Sequence, residues 1–285
     1  MIYPFVSIFF WSTVAVISKL LLKSYNNFQL LWISSLFAAL LLLFVNGLNG
    51  SIRILKTYKI KDFVISILIC LPGTFLYYVF YYAGTDILPA SQAFVINYMW
   101  PIMSVIFACI ILKEKMTVLK AVAIFMSFLG IVIAMSESFS SFDSAVLIGG
   151  VWCLLGAASY GVFTALNKKY HYQKSISLML SYFATFLLTT LINAFDGKLF
   201  IPSAAETVGF AWNGMLTMAL ANIFWVTALD KGDTAKISNL AYITPFLSLI
   251  WTYLFLDEPL NQYFIIGLAV IVCGMLIQFK KTKKQ

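Results

Sequence analysis

The sequence predicts an all-α integral membrane protein of ten transmembrane helices arranged as two inverted five-helix repeats. Three observations predict it. Of the 285 residues, 62% are hydrophobic and 11% charged, whereas a soluble domain carries about 45–50% apolar and about 25% charged residues. Ten apolar runs approach the roughly 20 residues needed to cross a bilayer's hydrocarbon core. The basic residues, finally, gather in alternate connections along the chain. The same composition excludes a water-soluble fold, a disordered chain and a disulfide-rich secreted one, and ten spans leave no length for a sizeable soluble domain.

The first run, Tyr3 to Leu22, has no basic segment before it and no small-residue cleavage site after it, so it reads as a retained helix rather than a signal peptide. Phe28 to Val45 and Phe63 to Ala83 follow, the latter carrying Tyr77, Tyr78, Tyr81 and Tyr82. The position of Tyr81 and Tyr82 near one end of their span predicts an interfacial aromatic belt, with Tyr78 a turn deeper. Ser91 to Leu112 and Val118 to Met135 complete the first five. Val146 to Leu166 carries Cys153, Ala157, Gly161 and Ala165 at i, i+4 spacing, a ladder of small residues that lets another helix approach closely. Ile176 to Ala194, Val208 to Leu229, Ile237 to Leu256 and Tyr263 to Phe279 bring the count to ten. None alternates apolar and polar residues as a barrel strand would, so helices satisfy the backbone in lipid.

With the N-terminus in the cytoplasm, the inside connections hold Arg53, Lys56, Lys59, Lys61, Lys113, Lys115, Lys120, Lys168, Lys169, Lys174, Lys231, Lys236 and the tail lysines 280, 281, 283 and 284. The outside connections hold only Lys23 and Lys198. This asymmetry predicts a multi-pass protein of the cell's inner (plasma) membrane with both termini cytoplasmic. The net charge of +8 is then a topology signal toward anionic headgroups, and no nucleic-acid partner is expected. Cys70, Cys109, Cys153 and Cys273 lie in apolar runs without metal-binding spacing, and read as small core residues. No metal site and no cofactor are expected.

A gapless offset of about 144 residues superposes Asp86, Tyr98, Pro101, Ser104, Leu112, Glu114 and Gly130 on Asp230, Tyr242, Pro245, Ser248, Leu256, Glu258 and Gly274. This predicts a duplication, residues 1–138 and 139–285. An odd number of helices per unit makes the second copy enter the membrane from the opposite side, an arrangement characteristic of transporters.

These residues resemble the drug/metabolite transporter superfamily in its ten-helix form with two EamA-type repeats. The resemblance rests on a Tyr-x-x-Pro in the fourth helix of each repeat followed by Leu-x-Glu at its end: Tyr98, Pro101, Leu112, Glu114 and Tyr242, Pro245, Leu256, Glu258. Asn97-Tyr98-Met99-Trp100-Pro101 is similar to the Asn-Tyr-Leu-Trp-Pro stretch of the bacterial aromatic amino-acid exporter branch, departing at Met99. The resemblance implies export of small metabolites, aromatic or other neutral amino acids first, by alternating access. Another small metabolite or drug, such as a nucleoside, a sugar derivative or an organic cation, is the alternative, with or without ion coupling.

Read from the residues themselves, Pro101 and Pro245 lack an N–H and free the carbonyls of Asn97 and Ala241 near the middle of their spans. At similar depth lie Trp11, Ser12, Tyr78, Asn97, Tyr98, Trp100, Ser159, Tyr160, Asn222, Trp225, Asn239 and Tyr242. Amides are expensive in hydrocarbon unless paired, so these residues either bond between helices or line a cavity. As a set they predict a central, uncharged, aromatic-lined binding cavity. Lys19 is the ionisable residue within a span, one turn from the outer end; it either snorkels outward or attracts an anion at the outer mouth. No acidic residue falls at mid-span and His171 lies in a connection, so a proton relay through a buried carboxylate is not expected. Glu114 and Glu258 read as helix-terminating, loop-pairing residues. One histidine and no G-x-S-x-G leave general acid–base chemistry without candidates, and no charged ring suggests a channel. The expected partners are a small-molecule substrate and the bilayer, the protein being a monomer or a weak homodimer.

Overall fold

The computed structural model describes residues 2–134, 144–231, 240–241, 243–259 and 262–277. Among them the secondary structure is helical, in ten rods. These are α1 (Tyr3–Leu22), α2 (Asn27–Leu48), α3 (Ile60–Ile87), α4 (Ala90–Ile111), α5 (Val118–Ala134), α6 (Ser144–Lys169), α7 (Lys174–Phe195), α8 (204–231), α9 (Ile243–Leu256) and α10 (Gln262–Ile277). The six from α1 to α4, α6 and α7 are each apolar and long enough to cross a membrane, and α5, α9 and α10 are shorter apolar helices. Phe44, Ile110, Phe125, Val151, Leu187, Leu191, Tyr253 and Phe255 are exposed around the outside of the bundle. A soluble monomer does not carry that much apolar surface; here it faces lipid. Cys273 belongs to this surface, which corrects its reading as a core residue, while Cys70 and Cys153 are buried.

Four rods are interrupted inside the bundle. Thr13 breaks α1, where the Ser12 and Thr13 hydroxyls bond back to the Phe9 and Phe10 carbonyls, both at 2.7 Å. Those two hydroxyls accept the indole N–H groups of Trp251 (2.8 Å) and Trp212 (3.0 Å), which pins α1 to α9 and α8. In α3, Pro72 withholds an N–H from the preceding turn, and the chain widens into a π-helical turn over Pro72–Leu76. In α8 a longer π-helical stretch covers Trp212–Leu220. In α4 the helix stops at Asn97 and restarts at Trp100. Pro101 therefore stands in the first turn of a new half-helix, where no intrahelical N–H is required, rather than in mid-helix as its place in the run suggested.

Features 144 residues apart recur. The π-helical turn at 72–76 maps into that of α8. Lys113 (φ 56°) and Asp257 (φ 54°) both take the left-handed conformation just after α4 and α9. The next residue in each case folds back, Glu114 N–H to the Ala108 carbonyl and Glu258 N–H to the Thr252 carbonyl, both at 3.4 Å. Helix contacts obey the same exchange: α3–α6 maps to α8–α1, α4–α6 to α9–α1 and α3–α7 to α8–α2, while α5–α10, α2–α7 and α4–α9 map onto themselves. In the α5–α10 contact a Cβ on Gly130 would lie 2.6 Å from the Gly267 carbonyl oxygen, so only glycine permits this approach.

The ladder Cys153, Ala157, Gly161 and Ala165 is buried and receives α3 and α4: Cys153 meets Gly84, and Gly161 lies against the Met103 backbone. That close approach has a consequence for α3. Tyr81 and Tyr82 are fully buried rather than forming an interfacial belt, because α6 covers Tyr81 and α8 reaches Tyr82. Tyr82 accepts a hydrogen bond from Asn213 Nδ2 (2.6 Å), which also reaches Ser34 Oγ (3.0 Å).

Candidate functional site

The break in α4 lies against a cavity of about 70 Å³ in the middle of the bundle. Its wall is built by α1 (Trp11, Val14), α3 (Tyr77, Tyr78), α4 (Phe94, Asn97, Tyr98, Trp100), α6 (Tyr160), α8 (Asn222) and the start of the α9 segment (Ala241, Thr244). Trp11, Tyr78, Asn97, Tyr98, Trp100, Tyr160 and Asn222 are thus brought together as the sequence predicted. Ala241, expected through its carbonyl alone, also lines the space, and Tyr77, Val14, Phe94 and Thr244 join them without having been assigned to it. Tyr77 was visible in the tyrosine cluster; Phe94 and Val14 carry no polar signal that a sequence alone could reveal.

The remaining candidates sit elsewhere. Ser12 is engaged by Trp251 and its own helix. Trp225 packs on Trp11, ring centroids 5.2 Å apart, behind the wall rather than in it. Ser159 bonds to the Leu155 carbonyl (2.9 Å). Pro101 and Pro245 act through the backbone and do not line the cavity. Asn239 and Tyr242 lie outside the described residues.

The rings interlock. Tyr77 meets Tyr78 at 4.7 Å and Tyr160 at 5.2 Å, and Trp100 meets Tyr160 edge-on at 5.1 Å. Asn97 Nδ2 donates to the Tyr77 hydroxyl (2.9 Å). Among the described residues Asn97 Oδ1 and Thr244 Oγ1 are buried without a hydrogen-bond partner. The Ala241 carbonyl, which Pro245 leaves without its helical N–H, accepts the Tyr98 hydroxyl. One of the two acceptors expected to open into the cavity is therefore satisfied, by this side chain of α4 and by the Thr244 N–H (3.0 Å). No ionisable acid, lysine, arginine or histidine is among the lining residues, so the cavity presents π faces, amides and hydroxyls. At about 10–15 Å³ per water centre it holds roughly five waters. Pockets for small molecules run from about 300 Å³ upward, so a substrate requires the walls to part.

A second space, about 180 Å³, lies between the end of α2, the start of α7 and the lower half of α8. It is lined by Asn49, Lys174, Ser175, Met218 and Thr227 among others, and shares Asn222 with the central cavity. Asn222 Nδ2 is held by the Met218 carbonyl at 2.6 Å. Asn222 is thus the partition between the cavity and a vestibule at the lysine-rich face.

Lys19 is not a free charge at a mouth. Its ammonium donates to the carbonyls of Thr85 (2.6 Å), Asp86 (3.1 Å) and Leu88 (2.7 Å), so it neither snorkels away from the protein nor offers an uncommitted site. At the lysine-rich face Glu114 accepts from Lys168 (2.7 Å) and Lys120 (3.0 Å). Those hydrogen bonds, Lys168 first, hold its carboxyl below the usual glutamate range.

The model of the EamA-like transporter family matches this chain twice, over residues 1–136 and 147–279. The chain is 25% identical over 218 residues to an uncharacterized transporter, YvbV, of Bacillus subtilis, covering 74% of this chain and 70% of that one. It is 21% identical over 178 residues, 62% of each chain, to the aromatic amino acid exporter YddG of Ancylobacter novellus. It is 23% identical over 201 residues, 70% of this chain and 67% of that one, to an S-adenosylmethionine uptake transporter of Rickettsia felis. A solved crystal structure shares the fold with a TM-score of 0.70 at 18% identity, over 98% of this chain and 95% of the other.

Proposed function

The chain belongs to the EamA-like transporter family, and we propose that it is a secondary carrier exporting small neutral metabolites, aromatic or other neutral amino acids first. The observation that carries this reading is the uncharged, aromatic-lined cavity at the break in α4. A planar side chain stacks on Trp100, Tyr77 and Tyr160, while Asn97, Asn222 and Thr244 offer hydrogen bonds to the polar end. The aromatic amino acid exporter among its relatives supports the same class.

In this reading residues 1–138 and 139–285 form two inverted repeats, each membrane-embedded, with both termini cytoplasmic in the plasma membrane. Rocking of one against the other opens the cavity to either side in turn. The vestibule beside Lys174 is the inner approach, and Asn222 swings aside to admit substrate. The small-residue contacts of α6 with α3 and α4 give smooth surfaces for that motion. The protein works as a monomer or weak homodimer with substrate and lipid as its partners.

A second reading takes a cationic nucleoside as substrate. Electron-rich ring faces attract a desolvated cation, and a relative carries the name of an S-adenosylmethionine transporter. One experiment separates the two: flux in proteoliposomes loaded with labelled tryptophan, phenylalanine, threonine, a neutral nucleoside or S-adenosylmethionine, with and without a proton gradient. Saturable tryptophan or phenylalanine flux that ignores the gradient is the expected result. Flux confined to S-adenosylmethionine establishes the second reading, and unsaturable flux of every solute overturns the carrier mechanism.

A further inference from the structure

The α3–α4 turn, on the face opposite the lysine-rich one, is grasped by two charged side chains that belong to other elements. Lys19 of α1 commits its ammonium to the three carbonyls at the C-terminal end of α3. Glu258, just beyond α9, reaches the N-terminus of α4: Oε1 accepts the Ala90 N–H (2.6 Å) and Oε2 the Ser91 N–H (2.8 Å). A cation at the end of one helix and an anion at the start of the next each match the local dipole. The two N–H groups have no intrahelical acceptor. Ala90 is fully buried and Ser91 nearly so, so water is a poor substitute for the carboxylate.

This clasp stands directly over the cavity. Phe94, a wall residue, is four residues from Ala90, about 6 Å along the helix. Leu88, Ala90 and Ala93 have no exposure, so this end of α4 is sealed. The two charges differ in what they join. Lys19 and the turn both lie in the first family match, residues 1–136, whereas Glu258 lies in the second, residues 147–279. The carboxylate contact is therefore one that relative motion of the two halves has to break, while Lys19 keeps the turn rigid within its own half.

We propose that Glu258 is the outer gate contact of this carrier and Lys19 the residue that positions the turn it closes on. The proposal rests on the rocking-carrier reading above. Glu114, 144 residues earlier, joins the halves at the other face through Lys168. That ammonium is 67% exposed, so the bond is screened and weak, whereas Glu258 bonds to buried amides.

The test reads side-specific access to the cavity, independently of substrate. In a variant with the four native cysteines replaced, Thr244→Cys is labelled with a membrane-impermeant thiol reagent in right-side-out and in inside-out vesicles. Adding Glu258→Ala is expected to raise labelling from the outside about tenfold, the scale of one charge-assisted hydrogen bond, and to lower it from the inside. Unchanged outside labelling, or an equal rise from both sides, overturns the proposal, because simple loosening has no direction. Glu258→Asp, whose shorter side chain reaches one amide of the two, serves if the alanine variant fails to fold, with a smaller rise in the same direction. Flux of the five solutes is measured alongside. Directional labelling without flux leaves the gate standing and overturns the carrier; flux without a labelling change does the reverse.

Discussion

Ala241 shows how a proline and a tyrosine divide the work at one atom. Pro245 has no N–H to offer the Ala241 carbonyl, which instead accepts the Thr244 N–H (3.0 Å) and, from 143 residues away in sequence, the hydroxyl of Tyr98. Replacing Tyr98 by Phe keeps the ring in the cavity wall but removes one of the two donors to that buried acceptor, which costs about 0.5–1.5 kcal/mol. A lower melting temperature of Tyr98→Phe in detergent is expected, and an unchanged one means that the Thr244 N–H alone suffices for the carbonyl. Both residues were legible in the sequence as members of Tyr-x-x-Pro. Their mutual service was not, since nothing local says that a hydroxyl in α4 reaches a carbonyl before α9. Trp100 and Asn97 face the space itself, so Trp100→Ala and Asn97→Ala are expected to reduce flux roughly tenfold with the protein still monodisperse. Parallel loss of folding and flux instead makes them structural.

Along each element the apolar runs located the helices, and their uniform composition hid where the helices break. The turn at Thr13 and the start of the π-helical stretch of α8 engage hydroxyl and indole partners from other helices, which hydropathy does not record. Tyr81 and Tyr82 were misjudged for the same reason: a tyrosine near a span's end is read as interfacial until Gly84 is seen to bring α6 over Tyr81 and Asn213 of α8 to bond Tyr82. The Leu-x-Glu signature, by contrast, acquires a local meaning. Its middle residue, Lys113 or Asp257, adopts a left-handed backbone that ends the helix and turns the following glutamate back. A side chain there costs about 1 kcal/mol relative to glycine. Lys113→Gly is therefore expected to leave the melting temperature unchanged or raised, and Lys113→Val to lower it. The opposite order rules out a conformational role for the middle position.

At the scale of the whole molecule the charges were the most legible feature and the least structural one. They predict orientation, yet in the folded chain Lys19 and Glu258 are joined to helix ends and Glu114 to Lys168 of α6. Glu114 gives this a pH signature with a definite sign. Its carboxyl titrates below the usual glutamate range because Lys168 and Lys120 donate to it, so the folded state binds its proton less readily than the unfolded chain. The bond therefore contributes in full above the ordinary glutamate value of about 4.3 and is lost as the pH falls through the lowered one. Both partners are partly exposed, Glu114 at 32% and Lys168 at 67%, which limits the contribution to roughly 0.5 kcal/mol. Glu114→Gln is expected to lower the melting temperature in detergent slightly at pH 7, and less so in high salt. The difference from the parent chain should close as the medium is made more acidic than that range. A gap that survives acidification assigns the effect to packing of the side chain and removes the ion pair from the account of how the lysine-rich face is held.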